Sequence, residues 1–551
     1  MPENHTTQRS PLDSDIMSQW RKILDLMDHS IDLMLNYRQS GHPGGSRSKT
    51  PALIALTLSG AMRFDIRHPE NPMGDRFVLA AGHCIPAVYS MLAVNNEALR
   101  IRHERTGQQR YANPLGEAGT LTWEDLLGFR RNKGLAGHAE MEGKTLFCKF
   151  NTGPSGHGTA AVLGEAFALK RAGARGVNVF ALEGEGGLTP GAAHEMKNAA
   201  WGYGLDNLFY IVDWNDYGID AQRVSDVVPG TPRTWFESYD WRVKGVQDGE
   251  DLAALARGLL SLTGEVPTHK KPGALWYRSR KGRGYGKYDN ASHGSPHPMN
   301  SEAFWSTKQV LEDRYNIRLA GFGQPAPETA QGIQEQAREN YRRLFALLRD
   351  DDDLCTYLAD RLVEVGESVP RKPEKMLVGK AGRNPWKDPR FFDYKEYPGS
   401  LWAPPGSKQP NRAALGRWGS YINALGRRDY GRPLILAASA DLAESTSIAG
   451  LGKSFDDSLP GFGRYDREHN TEGVLLPSVI TEFVNSGLCT GAASVNFADD
   501  PFAEFDGFAA ACSTYGSFAY LKYGLMRLYC QMSQDCEMKM GKVIWVAGHS
   551  G

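Results

Sequence analysis

From Asp13 to Arg38 the chain reads DSDIMSQWRKILDLMDHSIDLMLNYR, with apolar residues returning every three or four positions. That spacing predicts one long amphipathic helix opened by an Asp/Ser cap. The following SGHPGG breaks it with glycine and proline. Between Gly176 and Asn215 the pattern changes to an apolar strand (VNVFAL), a glycine turn, a helix (PGAAHEMKNAAWG) and a second apolar strand (LFYIVDW). This is a βαβ unit of the kind that builds a parallel sheet. A second such region opens at RPLILAASADL, and KVIWVAG near the end reads as another strand. The fold class expected is therefore α/β, with two doubly wound, mostly parallel sheets.

Between these regions the composition shifts. Residues 301–410 hold two charged helical stretches, the run Asp350–Asp353, and a proline-rich passage ending EYPGSLWAPPGSKQP. They are expected to form a long linker with some helix of its own, joining domains at 1–300 and 411–551, and the four aspartates to form a solvated loop. With 63 basic and 64 acidic residues in 551, there is no overall field to attract nucleic acid or an anionic membrane. No segment has the run of apolar residues that a membrane span needs. Seven scattered cysteines without a CxxC fit a reducing compartment, and a cytoplasmic location is expected.

The glycine turn GEGGLTPG poses a chemical question, because glycine-rich strand-to-helix turns usually attract phosphate and this one carries carboxylates. Glu185 ends one strand and Asn215, thirty positions later, ends the next. In a parallel sheet those loops lie side by side at the point where ligands bind. A carboxylate, an amide oxygen and a free carbonyl such as that of Tyr217 would make an oxygen nest for a hard divalent cation, which could bridge the carboxylate to a diphosphate. Glu183 is expected only to end its strand. A nicotinamide-type GxGxxG fits the spacing poorly. Five histidines, His42, His83, His138, His157 and His293, each stand beside glycine in a turn, where an imidazole can relay protons and the backbone can approach a ligand.

SGHPGG, NPMGDRFVLAAGHCIPAVYSML, LAGHAE, FNTGPSGHG, the GEGG turn with DWNDYGID, and SHGSPH occur in the order and spacing of transketolase. The chain resembles that family of thiamine diphosphate enzymes, most densely over residues 36–300. RAALGRWGSYINAL, LAASADLAESTS and VIWVAGHS carry the likeness into the second half. The resemblance implies a diphosphate-binding domain at 1–300 and a pyrimidine-binding domain, incomplete relative to the family, at 411–551. It implies thiamine diphosphate with Mg²⁺ or Ca²⁺ as cofactors. Glu185, Asn215 and the Tyr217 carbonyl match the metal-holding positions. His83, Gly153, Gly184, Gly186 and Asn215 match the diphosphate and thiazolium surroundings, while His42, His138 and His293 match those around the reacting sugar carbons. Glu482 matches the glutamate on the aminopyrimidine ring, with Phe518, Tyr520 and Tyr523 as candidates for the aromatic surface beneath it. Arg412, Ser445 and His549 match positions that grip a sugar phosphate.

Transfer of a two-carbon ketol unit from a ketose, by default phosphorylated, to an aldehyde acceptor is the activity the resemblance implies. Alternatives are another thiamine diphosphate carboligase or decarboxylase, or a non-catalytic regulatory subunit. Three departures from the family bear on this. Glu185 replaces its aspartate, displacing the carboxylate by roughly 1.5 Å. Pro190 replaces a glutamate of a network linking two active sites. The family continues beyond AGHSG, so a second polypeptide carrying the remainder is expected, in a homodimer or heterotetramer.

Overall fold

The structure is a computed structural model describing residues 12–220, 222–265, 270–291, 293–373, 377, 383–477 and 480–549. Five strands, β1 Arg76–Leu79, β2 Val179–Gly184, β3 Leu208–Trp214, β4 Arg242–Val246 and β5 Gly273–Arg278, form a fully parallel sheet in the order β1-β2-β3-β5-β4. A second parallel sheet has the order β6-β7-β8, from Ile435–Ser439, Ala509–Tyr515 and Val543–Gly548. β3 matches the expected strand, and β2 starts two residues later than the apolar run, at Val179, and runs on through Glu183 and Gly184.

Helices of three turns or more are numbered in chain order: α1 Ser14–Arg38, α2 Pro43–Leu58, α3 Ile85–Thr106, α4 His157–Ala172, α5 Gly191–Gly202, α6 Leu252–Gly264, α7 Ala330–Asp350, α8 Asp352–Glu367, α9 Asn411–Leu425, α10 Glu482–Ser494 and α11 Tyr523–Asp535. α1 begins as its sequence predicts, with Asp13 accepting from the Ile16 N–H at 3.0 Å. It ends at Gln39, which takes the left-handed conformation at φ 54°.

Alternation along the strands explains the layers. Phe77, Leu79, Phe180, Leu182, Phe209 and Ile211 face one core, shared with α1, α2, α3 and α6. Val78, Val179, Ala181, Tyr210 and Val212 face the other way, onto α4 and α5. The second sheet alternates likewise, with Leu436, Ala438, Ala510 and Cys512 joining this latter core and Ile435, Ala437, Ala509 and Ala511 facing a third. Each sheet is thus covered on both faces, as parallel sheets require.

The two sheets are joined by the packing of α4 against α10. A Cβ on Gly491 would stand 1.9 Å from the Ala161 carbonyl oxygen, so the backbones approach as closely as glycine permits. Residues 302–367 pack as part of the first domain: Tyr341, Leu344, Phe345 and Leu348 of α7 and Leu354, Leu358 and Leu362 of α8 belong to the core around α1 and α3. The aspartate run expected as a solvated loop is a tight turn between helices. Asp351 caps α8 by accepting from Leu354 N–H at 3.0 Å and pairs with Lys22 at 2.6 Å. All seven cysteines are free thiols. Among the described residues no helix is long and apolar enough to cross a membrane.

Replacing Gly491 by valine should lower unfolding free energy by at least ~2 kcal/mol through overpacking. A urea midpoint unchanged from wild type would contradict the close helix contact.

Candidate functional site

The carboxyl ends of β1, β2, β3 and β5 open onto one crevice. Beyond β1, the short helix Gly82–Cys84 carries His83. Beyond β2, the short helix Glu185–Leu188 carries Glu185. Register pairs Gly184 with Asp213 and Trp214 with Arg278, so Glu185, Asn215 and Lys281 emerge from adjacent strand ends. α2 begins at the same rim with His42 as its N-cap residue. A Cβ on Gly45 would lie 2.7 Å from Cys84 Sγ and 3.4 Å from His83 Nε2, so glycine there lets the first turn of α2 rest against His83.

This arrangement brings three of the expected histidines together. The His83 and His293 rings stack at 4.5 Å, and His42 lies 5.4 Å from His293 and 5.8 Å from His83. Burial, with the charge of Lys281 and the neighbouring His42, lowers His293 to about 3. Burial, with His293 and Lys49, takes His83 well below the usual range. Burial also lowers His42, against a hydrogen bond to the Gly294 backbone. Burial thus favours the neutral form of all three imidazoles. Nδ1 of His42 and Nδ1 of His293 are buried and have no hydrogen-bond partner among the described residues. His138 is exposed, with its ring edge 3.4 Å from where a Cβ on Gly153 would stand. His157 lies apart, edge-on to Phe483 at 4.8 Å.

The oxygen nest is partly as expected. Glu185 is buried, and its two carboxylate oxygens accept from the backbone N–H groups of Asn215 at 3.1 Å and Asp216 at 2.7 Å. Asn215 Oδ1 accepts from Tyr217 N–H at 3.2 Å. The Tyr217 carbonyl, expected to be free, instead accepts a hydrogen bond from Lys281 Nζ. Burial and the charge of Asp213 raise Glu185, while Lys281 and the backbone N–H groups oppose the shift. Among the described residues no three His, Cys, Asp or Glu side chains gather as a metal site, and the nest contains a single carboxylate. Its donor types still suit a hard cation, with Lys281 as a competitor for one of the three oxygens. Glu183 does more than end its strand: it is buried, accepts from the Gly184 N–H at 2.9 Å, and is raised by burial to about 7.

Sequence reasoning missed the floor of the crevice. Lys49 Nζ donates to Asp213 Oδ2 at 2.9 Å, Ser48 Oγ to the same oxygen at 2.5 Å, and Ser279 Oγ to Asp213 Oδ1. The signal was the polar run SRSKT directly after HPGG, which has the look of surface and is entirely buried.

The remaining candidates belong to the second sheet. Glu482 is the first residue of α10, is buried, and accepts at Oε1 from Thr514 Oγ1 at 2.8 Å. Among the described residues it makes no hydrogen bond or ion pair with the histidine group. Phe518, Tyr520 and Tyr523 are 45%, 72% and 63% exposed. Arg412, Ser445 and His549 are exposed. Gly548, next to His549, has its Cβ position 3.1 Å from Thr446 Cγ2, and Gly416 on α9 has its own 3.0 Å from the Ser447 carbonyl.

Residues 115–312 match the family model of the transketolase thiamine diphosphate binding domain. This chain resembles transketolase. It is 29% identical to human transketolase over 336 residues, covering 57% of the chain and 48% of that protein, and 28% identical to mouse transketolase-like protein 2 over 279 residues, covering 50% and 39%. The chain thus spans under half the length of these relatives. It is 28% identical over 261 residues to an apulose-4-phosphate transketolase subunit of Phocaeicola vulgatus, covering 47% of the chain and 82% of that polypeptide. In fold it is similar to transketolase from Leishmania mexicana, with TM-score 0.63, 18% identity, and coverage of 96% of this chain and 68% of that one. The transketolase of Campylobacter jejuni gives TM-score 0.63 at 20% identity, with 96% and 69% covered. The match to the thiamine diphosphate binding domain supports that cofactor, and the buried, unpartnered Nδ1 atoms beside a carboxylate and two lysines fit a polar, anionic group in this transketolase-like crevice.

A histidine whose pKa is depressed on folding stays neutral while the unfolded chain takes up a proton, so stability is present above about pH 6.5 and is lost as pH falls toward the folded value. Each such histidine should therefore take away up to ~1.4 kcal/mol of stability per pH unit below pH 6.5, against the opposite contribution of the raised Glu183 carboxyl. His293→Gln should flatten that slope in urea titrations. An equal slope in wild type and variant would contradict the burial.

Proposed function

We propose that this chain catalyses transketolase-like transfer of a two-carbon ketol unit from a ketose phosphate to an aldehyde acceptor. The observation that carries the reading is the neutral group His42, His83 and His293, with rings within 6 Å, beside Glu185 and Lys281 at the strand ends. Thiamine diphosphate, when bound, supplies the electron sink needed to break a bond next to a carbonyl carbon. Asn215, Lys281, His83 and the Gly153 and Gly186 backbone would hold its diphosphate, with Mg²⁺ or Ca²⁺ on Glu185, Asn215 and Tyr217, whereas the Gly184 N–H, expected to join them, is already taken by Glu183. A neutral imidazole both donates and accepts, so His42, His138 and His293 orient sugar hydroxyls and carry protons between them. Arg412, Ser445 and His549 take the substrate phosphate.

Glu482 faces the pyrimidine ring with Oε2, because Thr514 Oγ1 donates to its Oε1. Because Glu482 stands apart from the histidines of its own chain, a second copy supplies it, together with the exposed Phe518, Tyr520 and Tyr523. The relative named as a subunit supports a further partner polypeptide, and so does the outer edge of β8, where Ile544, Trp545 and Val546 are half-exposed. The protein works in the cytoplasm.

Mixing the chain with a partner polypeptide, thiamine diphosphate, Mg²⁺, a ketose phosphate and an aldose should consume the aldose. Glu482→Gln should lower kcat roughly 100-fold, the size of a lost general acid, with cofactor affinity within a few-fold of wild type. No turnover by wild type under any donor and acceptor pair, or full turnover by Glu482→Gln, would sink the assignment.

A further inference from the structure

A second cluster of buried charges lies beneath the crevice and takes no part in the chemistry above. Arg47 of α2 donates through Nη1 to Asp32 Oδ2 at 2.7 Å, and its Nη2 stands 3.4 Å from Asp28 Oδ2, both carboxylates being on α1. Its Nε donates to the Arg283 carbonyl at 2.6 Å. Arg283 returns the contact, donating through Nη2 to Asp28 Oδ2 at 2.5 Å, while Thr50 Oγ1 donates to Asp28 Oδ1 at 2.8 Å. Lys308 donates to Asp32 from the far side.

Directly above, main chain meets main chain. Gly44 N–H donates to the His293 carbonyl at 2.8 Å, and Gly282 N–H donates to the Gly44 carbonyl at 3.1 Å. The segment from Lys281 to His293 is therefore tied at both ends to the turn after His42, and Arg47 takes a carbonyl close to its start. Left-handed glycines at 282, 284 and 286 let this segment turn back on itself, where Asn290 N–H donates to the Lys281 carbonyl at 2.6 Å. Its seat against α2 comes from the bonds at Gly44 and Arg47.

We propose that Arg47, held in its fork by Asp28 and Asp32, is a positioning residue that sets the Lys281–His293 segment against the His42 turn. It fixes the spacing of His42, His293 and Lys281 without touching a ligand. The planar guanidinium presents its donors in a rigid fork that matches the two carboxylates and the carbonyl, whereas a lysine ammonium offers a single point charge without that fork. The assignment of the crevice to thiamine diphosphate is the reading on which the ligand half of this inference rests.

The test uses the full chain as Arg47→Lys and as the double variant Asp28→Asn, Arg47→Met, which removes one buried charge of each sign and leaves Asp32 paired with Lys308. Amide hydrogen exchange should quicken at least tenfold over residues 282–291, with α1 and α3 exchanging as in wild type. The Kd for thiamine diphosphate, measured by calorimetry with Mg²⁺, should rise at least tenfold while the melting temperature of Arg47→Lys changes little. Unchanged exchange over 282–291 in a folded variant would overturn the proposal. So would exchange that rises equally across α1, α2 and the segment, which is the mark of a merely structural role. Exchange needs no cofactor, so wild type failing to bind thiamine diphosphate refutes the cofactor reading and leaves the positioning claim to be judged on exchange alone.

Discussion

Burying Arg47, Ser48, Lys49 and Thr50 side by side at the start of α2 is possible only if each finds a partner, because a buried polar group without one costs on the order of 1–3 kcal/mol and a buried charge far more. The partners come from three directions. Asp28 and Asp32 reach in from α1, Asp213 from the end of β3, and the Arg283 carbonyl from the loop after β5. Satisfying all of them leaves α2 a single seat against the sheet. His42, Gly44 and Gly45 stand on that seat, so the place of the histidine group follows from carboxylates that never meet a ligand.

The same accounting answers why a glycine turn carries glutamates. Backbone N–H groups that would otherwise face an anion are already taken, Gly184 by Glu183 and Asn215 and Asp216 by Glu185. The turn is no open anion hole. Glu185 is under the influence of Asp213 and Lys281, and Asp213 is held by Lys49 at 2.9 Å. A diphosphate approaching this set needs a positive group at its front, which Lys281 and a seated cation can provide. The lysine on the Tyr217 carbonyl and the longer Glu185 side chain act on the same few ångströms, so each shapes what the other can hold.

Much of the fold was legible from periodicity. The α1 helix and its Asp13 cap, strand β3 and the parallel βαβ unit all follow from spacing, and the succession of apolar runs forecast two parallel sheets. Residues 301–410 read as a linker with some helix of its own because charge and proline dominate their composition. The stripe Tyr341, Leu344, Phe345, Leu348 at helical spacing was nonetheless present, and it is what binds α7 to the first core. The histidines were legible because each stands beside glycine in a turn. The SRSKT run was not: its partners lie between 15 and 236 positions away, and no local pattern distinguishes a buried arginine from a solvated one. Lys281 escaped notice for the same reason, its partner Tyr217 being 64 positions upstream.

The central claim is that the carboxylate-bearing turn, the neutral histidines and Lys281 together form a metal-assisted thiamine diphosphate site. Calorimetric titration of thiamine diphosphate into the full-length chain, with Mg²⁺ and again with EDTA, tests it most directly. The account predicts saturation at one cofactor per chain with Mg²⁺ and a loss of affinity of at least about tenfold with EDTA, or ~1.4 kcal/mol. Titration that gives no saturable heat under either condition, or identical isotherms in both, would contradict it.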